Sequence, residues 1–114
     1  MNQTTIAAIA TPTGSGGIGM VRLSGPKSLE IAQQIFRPYS GKDISGLSGF
    51  TGTLGTIVEI QHGEEHTIDE VILFRYRSPL SYTGEDVIEF SGHGGTYVTQ
   101  KILRLCYDNG AIPA

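Results

Sequence analysis

The chain is predicted to adopt an α+β fold, a mixed β-sheet carrying two helices. Three observations point there. β-Type residues cluster in the runs Thr4–Thr11, Ile18–Ser24, Thr51–Ile60, Ile68–Tyr76 and Asp86–Ser91. Two segments alone carry apolar residues at helical spacing, one around Leu29–Phe36 and one around Val98–Cys106. The elements also follow one another as βαββ…βα, the pattern of a single α+β unit. At 114 residues, with 39% hydrophobic and 17% charged residues, the chain is one globular domain with a modest core.

The opening strand runs into a glycine-rich stretch, Gly14, Gly16 and Gly19, spaced Gly-x-Gly-x-x-Gly. A dinucleotide fingerprint requires that such a loop open a helix, whose free N–H groups then hold a pyrophosphate. Here the glycines lead instead into Ile18-Gly19-Met20-Val21-Arg22-Leu23, a second strand with a lone cation. That context excludes the dinucleotide assignment, and titration with NAD or FAD is expected to show no binding. Gly25-Pro26 then places proline at a helix first turn, with Ser24 or Gly25 as cap. Leu29, Ala32 and Phe36, flanked by Ile31 and Ile35, form the apolar face of a short helix that Arg37-Pro38 ends. Tyr39 to Gly49 reads as a surface loop.

Thr51–Ile60 and Ile68–Tyr76 read as strands of a hairpin joined by the polar segment Gln61–Thr67. A turn-rich connection, Ser78 to Gly84, precedes the strand Asp86–Ser91, which ends in the run Gly92-His93-Gly94-Gly95. Val98, Ile102, Leu105 and Cys106 share one face of the last helix, and Asn109-Gly110 supplies its stop. The extended Ala111–Ala114 suggests a piece of a longer polypeptide.

Composition narrows the functional classes. Glycine, at 16 residues, is about double its usual share, which implies tight turns and close backbone approaches. Net charge is −3 with only 8 Lys and Arg, so no basic stripe suited to phosphate backbones is visible. One cysteine, Cys106, excludes an internal disulfide and suits a reducing cytoplasm; its place on the apolar helix face points to packing rather than nucleophilic duty. No secretory leader and no bilayer-length apolar run occurs, so the chain reads as a soluble cytoplasmic protein.

Four candidate sites stand out. His62-Gly63-Glu64-Glu65-His66 matches an inverted zinc-protease string, but Gly63 and strand-like flanks deny it the required helix, and a solvated hairpin tip is expected. His93-Gly94-Gly95 resembles an esterase oxyanion loop without the accompanying nucleophile elbow. It is read as a tight turn into the last helix, with N–H groups that can still face an anion. Glu85 and Asp86 sit at a turn, where carboxylates are readily solvated. Glu89 interrupts the strand Val87-Ile88-Glu89-Phe90 and shares the face of Val87, opposite Ile88 and Phe90. A carboxylate on an internal face needs a partner. Arg22 is the complementary oddity. Either the two pair with one another or with backbone, or they face a cleft and meet a polar heterocycle or an acid group.

The blocks Ile6-Ala7-Ala8-Ile9-Ala10-Thr11-Pro12, Gly16-Gly17-Ile18-Gly19-Met20-Val21-Arg22-Leu23-Ser24-Gly25, Ser81-Tyr82-Thr83-Gly84-Glu85-Asp86-Val87-Ile88-Glu89-Phe90 and Gly92-His93-Gly94-Gly95 together resemble the N-terminal domain of the MnmE (TrmE) tRNA-modification GTPases. The resemblance implies that residues 1–114 are a single N-terminal domain that binds a tetrahydrofolate derivative, 5-formyltetrahydrofolate or methylenetetrahydrofolate, and forms a homodimer. It implies the folate-binding fold of glycine-cleavage aminomethyltransferases. The parent would add a helical domain and a potassium-dependent GTPase domain, where GTP and Mg would bind. With the FAD- and NADH-using partner MnmG (GidA) it would modify the wobble uridine of certain tRNAs at carbon 5. The family's folate-contacting arginine falls on Arg22 and its strand glutamate on Glu89; no catalytic or metal-binding residue is implied for this chain.

Departures accompany the resemblance. Thr13-Gly14-Ser15 replaces the usual Pro-Gly-Arg, and Tyr82 stands where phenylalanine is usual. A Pro-Gly-Glu-Phe block, and a lysine that contributes to the folate site, would begin just beyond Ala114. These residues contain no Gly-x-x-x-x-Gly-Lys-[Ser/Thr] loop and no C-terminal cysteine motif, so the chain is not expected to hydrolyse GTP. The alternative function is a purely structural dimerisation module.

Overall fold

The structure is a computed structural model that describes residues 4–10, 18–47, 51–76, 86–93 and 95–114. The expectations placed on the glycine loop at Thr13, Gly14, Ser15 and Gly16, on Ser78 to Gly84, on Glu85 and on Gly94 lie outside the described residues.

β1 (Ile6–Ile9) and β2 (Ile18–Ser24) open the chain, followed by α1 (Ser28–Ile35) and β3 (Phe36–Pro38). A 3₁₀ turn (Ile44–Gly46) leads to β4 (Thr51–Gln61), β5 (Glu64–Tyr76), β6 (Val87–His93), α2 (Thr96–Asp108) and β7 (Ile112–Pro113). The strands form one mixed sheet in the order β3-β4-β5-β6-β2-β1-β7, antiparallel except for the parallel β1–β7 pair. The expected α+β class, the mixed sheet and the two helices are all present.

Both helices pack on one face of the sheet. Their buried residues Ile31, Ala32, Ile35, Ile102, Leu105 and Cys106 join Ala7, Val21, Leu23, Ile57, Val71, Leu73, Ile88 and Phe90 in one apolar cluster. Strand alternation sends the intervening residues to the opposite face, and that face carries Arg22 and Glu89.

Local differences from expectation have physical causes. α1 stops at Ile35, and Phe36, expected on the helix face, is extended (φ −125°, ψ 137°) and begins β3. Pairing with β4 outweighs one more helical turn, because Pro38 two residues on offers no N–H to continue it. Neither Ser24 nor Gly25 caps α1; Lys27 holds that position, and the hydroxyl of Thr5, just before β1, accepts its N–H at 2.8 Å. The loop after Pro38 contains the 3₁₀ turn, which buries Ile44.

The hairpin is longer than predicted. Glu64–Thr67 belong to β5, and only His62 and Gly63 form the turn, with φ of 52° and 79°. Two successive positive φ values are those of the tight turn whose twist matches paired strands. The string His62 to His66 therefore spans a turn and a strand. Gly92 and His93, expected in a loose run, end β6, and Gly95 is the α2 N-cap.

Candidate ligand site on the helix-free face of the sheet

β2 and β6 lie side by side, and their register sets Arg22 directly opposite Glu89. Arg22 Nε donates to Glu89 Oε2 at 2.6 Å, and Nη2 contacts the same oxygen. The glutamate side chain is 9% exposed and that of the arginine 50%. A carboxylate held this deep is costly unless paired, so the cation opposite it is a physical requirement. Sequence reasoning left open whether the two would pair or face a cleft. They pair, on a surface that none of the described helices covers. A carboxylate offers about four acceptor sites, and one guanidinium does not exhaust them.

The same register continues outward. Ala8 on β1 flanks Arg22, Phe74 on β5 flanks Glu89, and Gly52 on β4 lies beyond Phe74. These five residues share one face. A Cβ on Gly52 would come within 2.9 Å of the Phe74 ring, so the missing side chain leaves that ring its place. The neighbouring rows add the exposed apolar side chains of Ile6, Ile18, Leu54 and Ile72. An acid–base pair beside an aromatic ring, within an apolar surround, suits a flat heterocycle that carries N–H groups and oxygens. Phe74 and Gly52 were missed in the sequence because only cross-strand register places them beside Glu89.

The sequence matches a known family. The family model described as "GTP-binding protein TrmE N-terminus" covers residues 5–114. The chain belongs to the TrmE N-terminal family. Relatives named tRNA modification GTPase MnmE include those of Carboxydothermus hydrogenoformans, 46% identical over 110 residues, and Thermus thermophilus, 47% identical over 109. That of Streptococcus gordonii is 50% identical over 107 residues. These matches take in 94–96% of the TrmE N-terminal chain but 22–24% of the relatives. The TrmE N-terminal chain thus spans about a quarter of the length of the curated relatives it matches.

Other candidates settle into structural places. Cys106 is fully buried, and desolvation pushes its thiol up to about 12, which suppresses thiolate chemistry. Arg75, not singled out in the sequence, is buried on the helix side, where Nη1 donates to the carbonyls of Ser45 (2.9 Å) and Ile44 (3.2 Å). Asp43 accepts the Ser45 N–H and a Gln33 amide N–H, which lower its pKa. Among the described residues no helix is long and apolar enough to cross a membrane, and no group of three metal-binding side chains converges.

Proposed function

We propose that this domain binds a tetrahydrofolate derivative of the 5-formyl or methylene type on the face bearing Arg22 and Glu89, and that it forms a homodimer. The supporting observation is the cross-strand Arg22–Glu89 pair with Phe74 alongside. Glu89 would accept the parallel N–H groups of a pterin's 2-amino and ring-amide edge, and Arg22 would meet ligand oxygens. Phe74 would cover the ring and exclude water, strengthening those bonds. The exposed Ile6, Ile18, Leu54 and Ile72 on the same face would supply apolar area for a second copy. The folate would bring the one-carbon unit.

In this reading the domain serves a cytoplasmic tRNA-modification GTPase. Its other domains bind GTP, Mg and potassium, and with the FAD-dependent MnmG it alters wobble uridine at carbon 5. The fold would be that of the glycine-cleavage aminomethyltransferase folate domain. The domain itself would hold the cofactor and perform no catalysis.

Calorimetry with 5-formyltetrahydrofolate tests the binding claim. Glu89→Gln replaces an acceptor oxygen by a donor facing the pterin N–H groups, and a loss of about 1–3 kcal/mol is expected. Undiminished affinity in that variant removes Glu89 from the site. Sedimentation of the ligand-free chain tests dimerisation separately, and a dimer that ignores folate would favour the purely structural module.

A further inference from the structure

Beside the Arg22–Glu89 pair runs a row of different character. Ser91 is the next residue of β6 on the Glu89 face, and its cross-strand neighbours are Ile72 on β5 and Met20 on β2. Leu54 on β4 lies beyond Ile72. Ile72 and Leu54 are 41% and 44% exposed, so one hydroxyl stands among three apolar side chains on an open surface. Ser91 is partly buried, and among the described residues its hydroxyl meets no hydrogen-bond partner. No buried side-chain oxygen or nitrogen of those residues is left unpaired, so this hydroxyl opens onto the helix-free face.

The row on the other side of the pair is already committed. It runs through Tyr76, Val87, Ser24 and Ile6 across β5, β6, β2 and β1. Tyr76 and Ser24 have interactions of their own, and Val87 and Ile6 are apolar. Of the two rows that flank Glu89, the Ser91 row therefore holds the hydroxyl still able to serve a ligand.

A pterin held at Glu89 by its 2-amino group and ring N–H carries a carbonyl oxygen on the carbon next to that N–H. Ser91 lies ~7 Å from Glu89 along the strand at the usual rise. One hydrogen bond to the carboxylate, the short ring edge and one hydrogen bond to a hydroxyl fill such a span. Phe74 and the apolar row strip water from that oxygen, and a desolvated acceptor without a donor is costly. We propose that Ser91 is a further ligand-contacting residue, its hydroxyl donating to the ring carbonyl oxygen of the pterin. This contact sets the direction of the ring on the sheet, with the carbonyl towards Ile72 and Met20 and away from Tyr76. It rests on the folate reading above.

The test is calorimetry with 5-formyltetrahydrofolate on the wild-type chain and on Glu89→Gln, Ser91→Ala, Ser91→Val and Ser91→Thr, with melting temperatures to verify folding. Threonine and valine share a shape and both suit a strand, so the difference between them isolates the hydroxyl. Ser91→Ala and Ser91→Val are expected to bind about 3- to 10-fold more weakly, and Ser91→Thr to stay near wild type. With the ligand ¹³C-labelled at its ring carbonyl, the bound resonance should coincide in the wild type and Ser91→Thr and move upfield in Ser91→Val, a change that lost packing would not produce. Wild-type affinity in a folded Ser91→Val, with Glu89→Gln impaired, overturns the Ser91 assignment and leaves the folate site standing. A carbonyl resonance unmoved by Ser91→Val also overturns it, as does equal loss in Ser91→Thr and Ser91→Val. A wild-type chain that does not bind the folate overturns both readings.

Discussion

Arg22 and Glu89 show how one pair can serve both stability and recognition. Glu89 lies deep while Arg22 is half in solvent, so their contributions are unequal. Arg22→Met removes the guanidinium that pairs with a buried carboxylate. Breaking a fully buried pair costs 3–5 kcal/mol, and solvent access to the arginine reduces the expected loss to about 1–3 kcal/mol. Glu89→Gln should cost less, because the freed guanidinium keeps its water. Urea denaturation of both variants checks that order. If Glu89→Gln proved the more damaging, the stabilising role would belong to contacts of Glu89 other than Arg22.

The hairpin and the β3 edge carry the element-level predictions. His62 adopts φ 52° and precedes Gly63 at φ 79°. Asparagine tolerates that conformation better than histidine and is favoured before glycine in such turns. His62→Asn should therefore stabilise the chain by roughly 0.5 kcal/mol, seen as a raised denaturation midpoint with unchanged slope. Gly55 is the opposite case. A Cβ there would strike the Arg37 carbonyl oxygen and lie 2.5 Å from Phe36 Cζ and 2.8 Å from Pro38 Cα. Those atoms belong to the paired strand β3 and cannot retreat without breaking it. Gly55→Ala should cost about 2–3 kcal/mol by overpacking, and a thermal melt matching wild type would contradict the close approach.

The described strands form one sheet whose helix-bearing face holds a single apolar cluster, and Cys106 reports on that core. Burial pushes its thiol up to about 12 in the folded chain, against an ordinary value of 9.0. The folded state therefore binds the proton more tightly than the unfolded one. The stability this represents is fully present below pH 9 and is lost as pH rises from 9 towards 12. Chemical denaturation across that range should show stability falling, with the fall reduced in Cys106→Ala. Labelling of the thiol at neutral pH should proceed only through global unfolding, because Cys106 lies within the cluster that joins both helices to the sheet. Rapid labelling of the native chain would show that α2 opens by itself.

Ile18–Ser24 coincides with its predicted strand, and the α2 face of Ile102, Leu105 and Cys106 is buried as its spacing implies, because both signals are local and periodic. Glu89 and Arg22 were legible as anomalies for the same reason: a charge in a strand needs an explanation whatever the fold. The α1 cap, the fate of Phe36 and the company of Phe74 and Gly52 were not legible. Each depends on a strand distant in sequence, and chain order does not reveal which strands become neighbours or in what register. Residue chemistry thus fixed which side chains demanded partners, and cross-strand pairing alone chose the partners.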